Sequence, residues 1–190
     1  MAPLAVVAAA LLLLLSHPAQ ARVPEQHFAV KVRAAAGGKN AASLCSSTDY
    51  PDICASAAKD IRGPVSEKAL IQASIQAAIK KVQEAKASAA ALGASLFRVS
   101  KDKMAKGNLR VCQEVYDTVV ADLHKSLDAL KSGTAQDLNI RLSAAMTDVD
   151  TCEDGYAEAG TKSPLAGPDS VTGKHASNAL TLAKMLKTGH

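Results

Sequence analysis

The sequence predicts an all-α protein, an up-down-up-down four-helix bundle with an N-terminal helical hairpin and two disulfides. Three observations predict it. Four segments space their seam residues in steps of four and three, close to the 3.5-residue period of helices packed nearly parallel or antiparallel. Alanine and leucine dominate, tryptophan is absent, and only Phe28, Phe97 and three tyrosines supply aromatic surface. That composition excludes an aromatic-rich sandwich core and favours helices. Finally, the four cysteines fall in pairs placed symmetrically about two predicted turns.

The N-terminus, MAPLAVVAAALLLLLSHPAQA, holds an apolar run from Leu4 to Leu15 followed by the small-x-small tripeptide Ala19-Gln20-Ala21. It reads as a secretory signal peptide, residues 1–21, cleaved after Ala21. The run is too short for the roughly 20 residues of a membrane-spanning helix, and a secreted protein without membrane attachment is expected. Residues 22–40 are of mixed character, and Gly37-Gly38 marks them as a flexible lead-in.

Residues 41–62 form the predicted hairpin, which Arg62-Gly63-Pro64 separates from a bundle over 63–190. From Ser66 to about Lys103 a long helix is expected, with Ile71, Ile75, Ala78, Val82, Ala85, Ala89, Leu92, Leu96 and Val99 on its seam. Alanine at several of these positions implies close approach of a neighbour, while Gly93 weakens the helix near its end. A second helix is expected after Gly107-Asn108, carrying Leu109, Cys112, Tyr116, Val119, Leu123, Leu127 and Leu130, and ending at Ser132-Gly133.

Thr134 can cap the third helix, with Asp137 in the acidic position of a capping box. That helix carries Leu138, Leu142, Ala145, Val149, Cys152 and Tyr156. Gly160 to Gly167 reads as a loop, and the last helix, about Ser170 to Lys187, presents Val171, His175, Ala179, Leu182 and Leu186.

The cysteine pairing follows from the turns. The midpoint of Cys112 and Cys152 falls on Ser132-Gly133, which sets both at the same level of an antiparallel pair of helices. Cys45 and Cys54 are centred on Asp49-Tyr50-Pro51, and Pro51 suits the first position of a helix. Geometry therefore prefers Cys45–Cys54 and Cys112–Cys152, in keeping with an oxidising compartment.

Convergent catalytic chemistry is not visible. There is no G-x-S-x-G elbow, and Gly37-Gly38-Lys39-Asn40 lacks the upstream glycine and the Ser/Thr of a phosphate loop. The histidines show no ligand spacing with the cysteines, and His175 reads as a packed seam residue. Asp148, Asp150, Glu153, Asp154 and Glu158 fail the calcium-loop pattern and read as a solvated helix face. Neither metal nor cofactor is expected. The net charge of +4 is spread along the chain with no basic stripe interleaved with aromatics, which excludes dedicated nucleic-acid binding but is compatible with an acidic polymer. Such a protein acts by binding.

The segments CSSTDYPDIC, LRVCQEVYDTVVADLHKSLDAL, LSAAMTDVDTCEDGY and SNALTLAKML resemble, in order and spacing, the plant invertase and pectin methylesterase inhibitor family over Ala41 to Leu186. The resemblance implies a helical hairpin set against a four-helix bundle, disulfides joining first to second and third to fourth cysteine, and inhibition either of pectin methylesterase or of acid invertase. Invertase inhibitors carry a Pro-Lys-Phe element shortly before the third cysteine, where this chain reads Lys103-Met104-Ala105. Pectin methylesterase inhibitors present polar residues from the second and third bundle helices, at positions that Glu114 and Thr151 match, whereas two positions acidic in some such inhibitors are Thr118 and Ala121 here, with Asp117 and Asp122 adjacent.

The expectation is therefore an apoplastic inhibitor of pectin methylesterase, a monomer that forms a reversible one-to-one complex over the pectin cleft. An acid invertase inhibitor is the alternative, and a non-inhibitory pectin-binding protein ranks below both.

Overall fold

A computed structural model describes residues 40–188, so the signal peptide, its cleavage after Ala21 and nearly all of the lead-in lie outside the described residues. Six helices follow in order: α1 Ala41–Cys45, α2 Pro51–Ala58, α3 Glu67–Val99, α4 Lys103–Ser132, α5 Ala135–Glu158 and α6 Ala166–Thr188. Among the described residues there is no strand, and no helix is long and apolar enough to cross a membrane.

Local chemistry sets the ends. Asn40 caps α1 by accepting from the Ser43 amide at 2.7 Å, and Pro51 opens α2. Ser66 accepts from Ala69 at the start of α3, and Asp102 from Ala105 at the start of α4, at 3.1 and 3.0 Å. Gly133 closes α4 with φ 76°, a left-handed conformation that a side chain would disfavour.

Helices α3 to α6 form a closed ring in which each packs on the next and α6 returns to α3. The short connections make sequence neighbours antiparallel, as expected of an up-down-up-down bundle. Hairpin α1–α2 lies against α3 and α6 at one side, and one apolar cluster runs unbroken from Leu44 and Cys54 into the bundle. Ala78, Ala85 and Ala89 are fully buried on the α3 seam.

The structure corrects several boundaries. The second long helix starts at Lys103, not after Gly107-Asn108. The Asp102 cap starts it early, and Lys106 and Asn108 anchor the stretch across Gly107 by donating to Phe97 O at 3.2 Å and Gly155 O at 2.8 Å. Accordingly α3 stops at Val99, which is 78% exposed, so the apolar seam ends before the helix does.

Thr134 makes no capping bond. Its hydroxyl pairs with Ser132 at 2.9 Å, while Asp137 reaches Arg141 at 3.5 Å. Helix α6 begins at Ala166 with Pro168 in its first turn, where the missing amide of proline costs nothing. Its buried face runs through Asp169, Thr172, Ala176 and Ala183 besides His175, Ala179 and Leu182, whereas Val171 and Leu186 are only half-buried.

Both disulfides are formed. Cys45–Cys54 closes the hairpin across a Cα–Cα distance of 5.5 Å, and Cys112–Cys152 joins α4 to α5 across 4.6 Å. The second sits wholly inside the bundle, since both its cysteines are buried.

Candidate functional site

Helices α4 and α5 are tied together by polar bonds and a disulfide. Asn108 and Asp122, two heptads apart on α4, both bond to α5: Asn108 to the Gly155 carbonyl, and Asp122 accepting from Arg141 at 3.0 Å. Gln113 and Asp117, one turn apart, instead reach α3. Gln113 donates to Ala89 O at 3.0 Å, and Asp117 pairs with Lys86. Gly93 makes room for this, because a Cβ there would stand 3.0 Å from the Gln113 amide nitrogen and 3.2 Å from the Phe97 ring.

Between those two edges lies a strip of α4 that faces solvent and includes Glu114 and Thr118, both exposed. On α5, Thr151 is exposed beside the buried Cys152, and its hydroxyl donates to Thr147 O at 2.9 Å. Thr147 repeats the arrangement with Ser143 O at 3.2 Å. Ser143, Thr147 and Thr151 therefore form a hydroxyl stripe along the outside of α5 at one-turn spacing. Of the four residues singled out from the sequence, Glu114, Thr118 and Thr151 face outward on this helix pair, and Asp117 is turned to the α3 edge.

Behind this surface lies a polar interior that hydrophobic periodicity did not reveal. Tyr116 is fully buried at the centre of the bundle and donates to Asp169 Oδ2 of α6 at 2.8 Å, with Cys152 Sγ 3.4 Å from its hydroxyl. Asp169, 1% exposed, faces Glu153 of α5 at the floor of a cleft of about 460 Å³ also lined by Tyr50, Asp150 and Lys174.

Burial pushes the Asp169 carboxyl up to about 7; the Tyr116 hydrogen bond opposes this and Glu153 reinforces it. The Glu153 carboxyl beside it disfavours a second negative charge, so Asp169 holds its proton in acid. Burial, then Asp169, raises the Tyr116 hydroxyl. Burial also raises Asp150, with Asp154 and Glu153 adding to it. Cys152 is held in the disulfide and offers this pair no thiolate.

On the other side of α6, His175 is buried against α2 and α3 with no partner for Nδ1. Burial, aided by the Lys81 charge, lowers it to about 4. It is therefore a neutral packed residue at ordinary pH.

A further cluster missed in the sequence joins the hairpin to α6. The Asn178 side chain, fully buried, accepts from the Tyr50 amide at 3.0 Å and donates to the Tyr50 carbonyl at 2.8 Å. Beside it Asp49 accepts from Ser177 at 2.6 Å and Thr181 at 3.1 Å. A buried asparagine carries no periodic signal. Only its place within an otherwise apolar stripe could have marked it.

The sequence pattern of the family described as plant invertase/pectin methylesterase inhibitor matches residues 39–182. The chain belongs to this family. Pectinesterase inhibitor 3 of Arabidopsis thaliana is 30% identical over 128 residues, covering 60% of this chain and 61% of that protein. The pectinesterase inhibitor of Actinidia deliciosa is 32% identical over 124 residues, covering 60% of each. Pectinesterase 1 of Citrus sinensis is 32% identical over 158 residues, but those residues span 75% of this chain and only 26% of the citrus protein. The crystal structure of a pectin methylesterase inhibitor from Arabidopsis thaliana shares the fold, with a TM-score of 0.58 and 19% identity over 77% of this chain and 95% of that one.

Proposed function

We propose that the protein inhibits pectin methylesterase by docking the outer face of α4 and α5 over the enzyme's pectin cleft. The single observation that carries this reading is the exposed polar strip of Glu114, Thr118 and Thr151 on two helices that a buried disulfide holds together. Family membership and the pectinesterase inhibitors among its relatives support the choice of target.

The mechanism is exclusion without chemistry. A preformed helical face loses little conformational entropy on binding, so the polar contacts translate efficiently into affinity. The complex is one-to-one and reversible, the free protein a monomer, and its site of action the apoplast. The N-terminal leader read from the sequence supports that location.

Inhibition of acid invertase is the second reading, and the stretch Lys103-Met104-Ala105 speaks against it. These residues form the first turn of α4 in place of the Pro-Lys-Phe element of invertase inhibitors. The test adds the oxidised protein to a plant pectin methylesterase and, separately, to an acid invertase. Saturable loss of esterase activity at equimolar protein is expected, and loss of invertase activity alone would overturn the reading.

A further inference from the structure

We infer that the α3–α4 tip, residues 98–110, is a second binding site, for a carboxylate-bearing polysaccharide such as de-esterified pectin. The distribution of charge carries the inference. Arg98, Lys101, Lys103, Lys106 and Arg110 stand in this segment against one carboxylate, Asp102, so the tip alone matches the whole chain's net charge of +4. Elsewhere in residues 40–188 there are thirteen cations against sixteen carboxylates, a net charge of −3. Within residues 40–188 the excess of positive charge is therefore concentrated in this one turn, beside the acidic end of α5 that Asn108 contacts at Gly155.

The tip's charges are available. Asp102 is engaged in capping α4 through the Ala105 amide. Among the described residues, none of the five cations forms an ion pair with an acidic side chain. Lys106 is held against the Phe97 carbonyl, and Arg110 lies over the Phe97 ring, 5.1 Å from its centre, so two of the five are fixed in place. Arg98, Lys101 and Lys103 are exposed around them.

Val99 and Met104, 78% and 63% exposed, give the same turn an apolar surface. Cations set about an apolar patch suit a polyuronate, whose sugar rings present C–H faces between regularly spaced carboxylates. The tip contains none of the residues of the proposed inhibitory strip, so both sites can be occupied at once.

The choice of polymer rests on the inhibitory reading. Hydrolysis of pectin methyl esters leaves carboxylates along the chain, so a carboxylate-binding tip would hold the inhibitor where its target has already acted.

The test measures retention of the purified full chain on immobilised polygalacturonate and on highly methyl-esterified homogalacturonan, over a salt gradient. The wild type is expected to be retained on the first, to elute with salt and to pass through the second. The triple substitution Arg98→Glu, Lys101→Glu, Lys103→Glu is expected to weaken retention about tenfold or more. A control with Lys68→Glu, Lys80→Glu and Lys184→Glu, exposed positions far along the chain, carries the same net charge and should remain retained.

Equal loss in both variants, or equal retention on both polymers, would overturn the proposal. Circular dichroism of each variant establishes that its helices are intact. Methylesterase inhibition, measured on the same samples, reports on the inhibitory reading separately and should be unchanged in the tip variant.

Discussion

Helices α4 and α5 are joined to each other very differently from the way the hairpin is joined to α6. Across α4 and α5, a disulfide, the Asn108–Gly155 hydrogen bond and the Arg141–Asp122 ion pair tie two helices that belong to the bundle itself. The hairpin also has a disulfide, but Cys45–Cys54 closes only the hairpin on itself. Its attachment to α6 rests on the Asn178 clamp, the Asp49 hydroxyl contacts and buried Leu44 and Ala57. A covalent bond of the same kind thus fixes two bundle helices to each other in one place and a local turn in the other.

Breaking the bundle staple should have the largest effect. Cys112→Ser with Cys152→Ser removes a crosslink spanning 40 residues, for which loop entropy gives about 4 kcal/mol. A large fall in melting temperature and weaker inhibition are expected. Cys45→Ser with Cys54→Ser should cost about 3 kcal/mol by the same relation and leave inhibition near the wild-type level.

The pH dependence separates the two sides of α6. Asp169 has its folded pKa raised above that of the unfolded chain, so it contributes stability in acid that is lost as pH rises from about 4 to about 7. His175 has its folded pKa lowered to about 4, so it contributes stability that is lost as pH falls from about 6.5 to about 4. The two windows overlap with opposite sign, so the two groups partly offset each other.

Denaturation between pH 4 and 7 should therefore depend on pH less steeply in the wild type than in a variant that lacks either group. Asp169→Asn should leave a stability that rises with pH, and His175→Gln one that falls. Parallel profiles in the two variants would contradict this assignment.

Smaller and more local is the effect of Asn178→Ala, which strips two hydrogen bonds from Tyr50 and should cost about 2 kcal/mol. Hydrogen exchange should quicken in residues 41–58 while α4 and α5 keep their protection. Faster exchange throughout would show that hairpin and bundle open together.

What the sequence made legible follows the same division. The seams of α4 and α5 were readable because apolar residues repeat there and because Cys112 and Cys152 flank their turn evenly, and every predicted α5 seam residue is buried. The start of α4 was misplaced because glycine at 107 outweighs a single Asp102 cap in any local reading, and the bonds from Lys106 and Asn108 that offset it are tertiary. The α6 register was less legible for a related reason. Part of its buried face is polar, and Asp169 and Asn178 are buried by partners on α4 and in the hairpin turn, Tyr116 and Tyr50, far away in sequence. The exposed strip had no signal beyond family resemblance, since solvent exposure of Glu114 or Thr151 is not encoded by their identity.

The most direct test of the account is a titration of pectin methylesterase with the double variant Glu114→Lys, Thr151→Lys beside the wild type. Both positions are exposed, so the melting temperature should not move. Inhibition should weaken by tenfold or more if the α4–α5 face makes the contact. Undiminished inhibition by a normally folded variant would contradict that placement.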